Sequence, residues 1–214
     1  MSQHHTYSNT RIRWFWIISI VSLIAFVAIS LLVISEKVVS FDSFFIKLVR
    51  GFEQPSLTWV AKGFTYLGSN IPIVIICLAI VIWMYKVLHL RREVMFFAVV
   101  ILGSAMINVI LKNMFRRIRP DINRLIDITG YSFPSGHSMA AFTMYGILTY
   151  LLWKSFHTTS RRNLVVLLFS VIILCIGLSR IYLGVHYPSD VLGGYLASCA
   201  WLMFSIGVYE VRRK

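Results

Sequence analysis

Residues 14–35 read WFWIISIVSLIAFVAISLLVIS, a stretch without one charged side chain. A stretch of about 20 apolar residues has the length of an α-helix that crosses the hydrocarbon core of a bilayer. Five further apolar stretches follow, at 68–88, 94–114, 136–156, 163–183 and 190–210. Because backbone polar groups in lipid are satisfied within a helix, we predict an all-α, six-transmembrane-helix bundle.

The composition indicates which partner the chain meets. Hydrophobic residues make up 58% of it, charged residues only 14%, and the net charge is +13. A basic chain suggests nucleic acid, but here Lys and Arg cluster between the apolar stretches, where anionic lipid headgroups lie. We therefore predict a membrane partner and no nucleic acid. Cys77, Cys175 and Cys199 lie inside apolar stretches without a paired spacing, so we predict neither a zinc site nor a disulfide.

The segment between the first two apolar stretches has a different pattern. FDSFFIKLVRGF, at 41–52, alternates apolar and charged residues at helical spacing. This pattern predicts a short amphipathic helix at the membrane interface between helices 1 and 2, and an ordinary connector is the alternative. The residues expected on its apolar face are Phe41, Phe44, Phe45, Leu48 and Phe52.

The first of three polar clusters is KNMFRRIRP, at 112–120. Lys112 and Arg119 are seven residues apart, so they share a face with Arg116 if the helix continues. Pro120 disfavours helix at Arg119 and is expected to end the element there. The cluster predicts a basic stripe at a helix end, and binding of lipid headgroups is the alternative interpretation.

The second cluster, PSGH at 134–137, begins an apolar helix. Ser135 is a good N-cap, and Gly136 permits close approach of a ligand to the backbone. The first backbone N–H groups of a helix favour an anion, and His137 stands beside them. A plain helix start with an interfacial histidine is the alternative.

The third cluster is SRIYLGVHYPSD, at 179–190. Arg180 ends the fifth apolar stretch, and Pro188 suits the first turn of the sixth. Asp190 follows His186 by four residues. Its carboxylate either caps the helix or accepts a hydrogen bond from His186 and leaves the other ring nitrogen basic.

Alternating spans bring the three clusters to one face of the membrane. Three cations and free N–H groups suit a phosphate dianion. A histidine oriented by a carboxylate suits a nucleophile, and a second histidine suits a general acid. No cluster of carboxylates could hold a divalent metal. The pattern predicts phosphoryl transfer through a phosphohistidine, without metal or cofactor.

The three clusters together resemble the signature of the type 2 phosphatidic acid phosphatase superfamily, integral-membrane branch. Its parts are Lys112 with Arg119-Pro120, then 134–137, then Ser179-Arg180 with His186 and Asp190. The resemblance implies that His186 attacks phosphorus, Asp190 orients it and His137 protonates the leaving group. It assigns phosphate binding to Lys112, Arg119, Ser135, Gly136 and Arg180. Arg116, Arg117 and Arg124 are outside the signature.

The resemblance leaves the lipid open. Hydrolysis of phosphatidylglycerophosphate to phosphatidylglycerol is the favoured expectation, and undecaprenyl pyrophosphate is the alternative. Phosphatidic acid and diacylglycerol pyrophosphate are further options. A more remote alternative is a non-catalytic lipid-phosphate binder or transporter.

The distribution of basic residues predicts the orientation. With six spans, both termini share one side, which carries Arg11, Arg13, Lys86, Arg91, Arg92, Lys154, Arg161, Arg162, Arg212, Arg213 and Lys214. These eleven face ten on the other side, of which six belong to 112–124 and Arg180. If those six are functional, eleven against four places both termini in the cytoplasm and the clusters outside. We expect residues 1–13 to form a cytoplasmic tail, with His4 and His5 exposed, and 14–214 a single domain.

Overall fold

The computed structural model describes residues 9–87, 89–121 and 123–213. Within these ranges the chain contains α-helices and no β-strand, which confirms the all-α prediction. The helices are α1 (Asn9–Ile34), α2 (Val39–Arg50), α3 (Pro55–Leu67), α4 (Asn70–Lys86), α5 (Arg91–Phe115), α6 (Gly136–Ser155), α7 (Thr159–Tyr182) and α8 (Pro188–Arg212).

Helix α6 lies at the centre of the bundle and contacts α4, α5, α7 and α8. Along it, Met139, Met144 and Ile147 are almost completely buried. Helix α1 packs along α8, where the Ser19 hydroxyl donates to the Ala200 carbonyl at 2.9 Å. The core is therefore made of helix-to-helix packing around α6, and the outer helices carry the exposed apolar residues expected of a surface that meets lipid.

Four helices are long and apolar enough to cross a membrane: α1, α5, α7 and α8. A fifth span results if α3 and α4, which meet at an angle of 49°, count as one broken span. Helix α6, at the predicted fourth span, is not among them. Because α6 is surrounded by other helices, its Ser138, Thr143 and Tyr145 are buried against protein, and it does not need the composition of a lipid-facing helix. The count of six spans stays a prediction.

The segment from 36 to 67 contains two helices. Helix α2 agrees with the predicted amphipathic helix within two residues at each end, and its Phe41, Phe44 and Phe45 side chains are exposed. Helix α3 was not predicted. It begins at Pro55, which suits the first helical position because its missing N–H would have had no partner there.

The prediction that the helix carrying Lys112 continues towards Arg119 is wrong. Helix α5 ends at Phe115, and Arg116 follows with φ 48° and ψ 30°, the left-handed conformation that reverses the chain. The Arg116 N–H donates to the Lys112 carbonyl at 3.0 Å and closes the last turn. Arg119 therefore stands on a loop and not on a helical stripe.

Helix α1 begins at Asn9, so residues 9–13 of the expected tail are helical. His4 and His5 lie outside the described residues. Cys77, Cys175 and Cys199, for which the sequence predicted no disulfide, are free thiols in α4, α7 and α8.

Two glycines provide a matched test of the packing. A Cβ on Gly103 would lie 2.3 Å from Cζ2 of Trp201, whereas a Cβ on Gly63 would have no atom within 4 Å. Alanine stabilises a helix by about 0.5–1 kcal/mol relative to glycine, but overpacking costs about 1–3 kcal/mol. We expect Gly103→Ala to lower the midpoint of thermal unfolding in detergent and Gly63→Ala to leave or raise it. Equal shifts in both variants would contradict the observed packing of α5 on α8.

Candidate active site

The predicted site residues lie at one end of the bundle. They stand at the C-terminal ends of α5 and α7, at the N-terminal ends of α6 and α8, and in the loops that follow α5 and α7. Because consecutive helices run in opposite directions, these ends meet. The Ser135 N–H, before α6, donates to the Asp190 carbonyl of α8 at 3.0 Å, which joins two of the three sequence clusters directly.

His186 and Asp190 form a buried pair. Nδ1 of His186 lies 3.3 Å from Oδ2 of Asp190, and the two residues are 1% and 0% exposed. The same Oδ2 accepts the Tyr187 N–H at 2.9 Å. The carboxylate therefore caps α8 and also faces the histidine, so the two roles considered for it from the sequence coexist.

Arg119 reaches this pair from the loop after α5. Its Nη1 lies 3.0 Å from Nε2 of His186 and 2.9 Å from the Val185 carbonyl, while Nε donates to the Gly130 carbonyl at 2.8 Å. Arginine only donates, so Nε2 is the acceptor in this contact and Nδ1 carries the proton towards Asp190. This tautomer leaves the Nε2 lone pair on the side of the arginine.

Arg180 enters from the end of α7 and is 1% exposed. Its Nη1 donates to the hydroxyl of Thr65 on α3. Its Nε and Nη2 are buried, and no described group accepts hydrogen bonds from them. Buried donors of a guanidinium without an acceptor are costly, and an anion with several oxygens would satisfy them.

The start of α6 lies against Lys112. A Cβ on Gly136 would come within 3.0 Å of Oδ1 of Asn108 and 3.7 Å of Cε of Lys112, so the absence of a side chain lets α5 approach the helix N-terminus. Ser135 is the N-cap, as predicted, and its hydroxyl accepts from the Ser138 N–H and hydroxyl. The Lys112 ammonium donates to the Tyr131 carbonyl.

His137 stands one residue into α6, beside the turn between α3 and α4. A Cβ on Gly68 of that turn would lie 3.5 Å from its Cδ2. The cations whose charge acts on it are Arg180, Arg119 and Lys112. The structure thus places the second histidine among the same cations as the buried pair.

The electrostatics of the cluster keep His186 neutral. Burial lowers the pKa of His186 well below the usual 6.5, and Arg180, Arg119 and Lys112 lower it further. Burial also lowers the pKa of Arg119, whereas the Asp190 carboxylate opposes that change. A neutral imidazole with a free lone pair is the form of histidine that can act as a nucleophile.

Two contacts of the site were not predicted. Arg117 donates to Oδ1 of Asp190 at 2.6 Å, and the Thr65 hydroxyl, on a helix that the sequence pattern did not indicate, accepts from Arg180. Arg117 was one of three basic residues left outside the signature, and nothing in the spacing distinguished it from Arg116 or Arg124. Those two bond to carbonyl groups near their own positions, of Asn113 and Pro120.

Within 9–87, 89–121 and 123–213, no group of three or more His, Cys, Asp or Glu side chains is arranged to hold a metal ion. The cluster offers a neutral histidine, a carboxylate behind it, a second histidine and several cations. These groups can bind a phosphate and displace one of its substituents.

A helical membrane bundle with this cluster at one end defines the class of a membrane phosphatase. Residues 93–214 match the model of the PAP2 superfamily, which is more than half of the chain, and the protein belongs to that superfamily.

Known relatives agree with this membership. The chain is 34% identical over 165 residues to phosphatidylglycerophosphatase B of Bacillus subtilis, an alignment that covers 75% of this chain and 79% of the relative. It is 30% identical over 147 residues to the putative undecaprenyl-diphosphatase YbjG of Escherichia coli, covering 66% and 70%. The crystal structure of a transmembrane PAP2 type phosphatidylglycerolphosphate phosphatase from Bacillus subtilis superposes with a TM-score of 0.80 at 29% identity, covering 91% of this chain and 96% of that one.

The donors of Arg180 without an acceptor predict a binding site for inorganic phosphate. A ligand that binds only the folded protein raises the unfolding temperature. We expect orthophosphate to raise the midpoint of wild type in detergent, and Arg180→Lys to weaken phosphate binding roughly 10-fold because an ammonium cannot reproduce the fork. Arg162→Lys, at the start of the same helix, is the matched control. Equal phosphate affinity in Arg180→Lys and wild type would contradict the assignment.

Proposed function

We propose that this protein hydrolyses the terminal phosphomonoester of phosphatidylglycerophosphate and releases phosphatidylglycerol and inorganic phosphate. The observation that carries the proposal is the buried pair of His186 and Asp190, with Arg119 bound to Nε2 of the histidine. Beside it, Nε and Nη2 of Arg180 have no acceptor among the described residues. The lipid is inferred from the relative and the superposed structure, both of which are named for this phosphatase activity.

In the first step, Nε2 of His186 attacks phosphorus and a phosphorus–nitrogen bond forms. The bond between phosphorus and the lipid oxygen breaks as His137 gives a proton to that oxygen. The bound phosphate dianion offsets the surrounding cations and so favours the protonated form of His137 that this step needs. Asp190 accepts the hydrogen bond from Nδ1 and stabilises the positive charge that develops on the imidazole. The negative charge on the phosphate oxygens is balanced by Lys112, Arg119 and Arg180. Ser135 and the backbone N–H groups at Gly136 contribute to the same stabilisation.

Arg119 has two successive partners in this scheme. In the absence of substrate its Nη1 lies on the Nε2 lone pair of His186. A phosphate oxygen is a stronger acceptor for a guanidinium because the bond is charge-assisted on both sides. The phosphate therefore replaces His186 as the acceptor of the Arg119 hydrogen bond, which leaves Nε2 of His186 free to attack.

In the second step, water attacks the phosphohistidine. His137, now neutral, takes a proton from the water, the phosphorus–nitrogen bond breaks, and His186 regains its lone pair. Inorganic phosphate leaves with the oxygen of water. No step requires a metal or a cofactor.

We further propose that residues 14–214 form one six-span domain with both termini in the cytoplasm, the site on the outer side and α2 on the membrane surface. The meeting of the site residues at one end of the bundle supports a site that faces a single side of the membrane. The excess of Lys and Arg in the connections at the opposite end, once the site's own cations are set aside, supports the orientation. A phosphoester headgroup at the interface then reaches the site while its tails stay in the bilayer.

The second candidate substrate is undecaprenyl pyrophosphate, from which the same chemistry would release phosphate and recycle the lipid carrier. The relative named putative undecaprenyl-diphosphatase supports it. The site residues contact phosphate in either case, so they do not separate the two lipids. A non-catalytic binder or transporter would have no need for the buried pair of His186 and Asp190.

The decisive experiment is phosphate release by purified protein in detergent, with excess EDTA, from a panel of lipid mono- and pyrophosphates. We expect release without added metal, with the highest kcat/KM on phosphatidylglycerophosphate. His186→Ala should lose release by at least about 1,000-fold while it still folds, since it removes the nucleophile. Undiminished release by His186→Ala, or loss of wild-type activity in EDTA, would overturn the mechanism. A higher kcat/KM on undecaprenyl pyrophosphate would favour the second candidate.

The lowered pKa of His186 predicts the acid side of the pH profile. The neutral form is lost only as pH falls through this lowered pKa, so the acid limb of kcat/KM should lie below pH 6.5. Because the second ionisation of a phosphomonoester, near pKa about 6, also affects kcat/KM, it is titrated separately by phosphorus NMR and divided out. A remaining limb at or above 6.5 would show that His186 is not held neutral by its surroundings.

A further inference from the structure

Arg117 binds the oxygen of the buried Asp190 carboxylate that does not face His186. Its Nη1 donates to Oδ1 of Asp190 at 2.6 Å and to the hydroxyl of Ser189 at 2.8 Å. The guanidinium carbon lies 4.1 Å from the centre of the Tyr187 ring, which limits the tilt of the fork. Asp190 is therefore held by Arg117 on one oxygen and faces His186 with the other.

Arg117 is in turn held by Asp42 of α2. Its Nη2 donates to Oδ2 of Asp42 at 2.8 Å, and the Asp42 side chain is only 4% exposed. Asp42 also accepts from Ser189 twice, from the N–H at 2.8 Å and from the hydroxyl at 2.7 Å. One guanidinium thus lies between two buried carboxylates, and Asp42 is bound to the first turn of the helix that carries Asp190.

The division of the guanidinium between two acids has a geometric consequence. With Asp42 in place, one nitrogen of Arg117 is engaged by each carboxylate, and Asp190 receives only one of the two. If a neutral residue replaces Asp42, Arg117 is free to offer both nitrogens to Asp190, the bidentate geometry that arginine and carboxylate prefer. Such a shift would draw Oδ2 of Asp190 away from Nδ1 of His186.

From this arrangement we propose that Asp42 and Arg117 are positioning residues for the reaction: they hold the Asp190 carboxylate in the orientation that aligns His186 for attack. The proposal rests on the proposed function. Asp42 belongs to α2, which precedes the residues matched by the superfamily model. This role would make α2 a part of the catalytic site, although the same helix also has an exposed apolar face.

The test compares Asp42→Asn and Arg117→Lys with Asp121→Asn, an exposed acid in the loop that carries Arg117. Asparagine keeps the size of Asp42 and an acceptor for the Ser189 N–H, and lysine keeps the charge of Arg117 without its fork. We expect kcat to fall about 10–100-fold in both, the size of the loss when a residue that orients a metal-binding histidine is replaced. KM should stay within about 2-fold of wild type, since the phosphate-binding cations are intact.

Two small ligands provide a readout that does not depend on turnover. Orthophosphate reports the cation cluster, whereas orthovanadate, which resembles the transition state of phosphoryl transfer, also reports the placement of the nucleophile. We expect both variants to bind phosphate as wild type does and to lose vanadate affinity in parallel with kcat. The double variant should lose less than the product of the single losses, because the two residues act through one contact.

The outcomes separate the proposals. Wild-type kcat and vanadate affinity in Asp42→Asn would overturn the positioning role and leave the proposed function intact. Equal losses of phosphate and vanadate binding would show a merely structural effect and also overturn it. If Asp42→Asn does not fold in detergent, Arg117→Lys carries the same comparison. Wild type that releases no phosphate from any lipid would overturn the proposed function and, with it, this proposal.

Discussion

Buried Asp190 joins three parts of the chain at the end of the bundle that carries the candidate site. Its oxygens meet His186, Arg117 and the Tyr187 N–H, and its backbone carbonyl accepts from Ser135. A carboxylate in a dry environment is stable only when its lone pairs are filled, so each contact is needed for the others to persist. This requirement fixes the loop after α5 against the start of α8, and the bond from Ser135 to the Asp190 carbonyl adds the start of α6.

The same requirement leaves the site with an excess of positive charge. Arg119 and Arg180 approach a histidine that burial keeps neutral, and two nitrogens of Arg180 have no acceptor among the described residues. The Asp190 carboxylate cannot balance the charges of Arg119 and Arg180, because its oxygens already face Arg117, Tyr187 and His186. Under the proposed function, a phosphate dianion would supply the missing charge and acceptors together, so that binding and the electrostatic preparation for transfer would have one physical origin.

The sequence predicted the parts of this structure that depend on local rules. Apolar stretches of bilayer length indicated the helices, and the cap preference of Ser135 indicated the start of α6. Whatever depends on the backbone path between helices was beyond those rules. The left-handed turn at Arg116 ends α5 early and begins the loop from which Arg117 reaches Asp190. Helix α6 is central and hence more polar than a lipid-facing span, which composition alone does not reveal.

Helix α2 joins two environments that the sequence pattern treated separately. Phe41, Phe44 and Phe45 are exposed on it, while Asp42, between them in the chain, is buried against Arg117 and the start of α8. A helix of 12 residues is marginal alone in water, so its contacts with its surroundings must hold it in place. On the inner side those contacts run through the carboxylate network of the site. If the apolar side meets the membrane surface as proposed, the placement of the proposed nucleophile would depend on the same helix that meets the lipid.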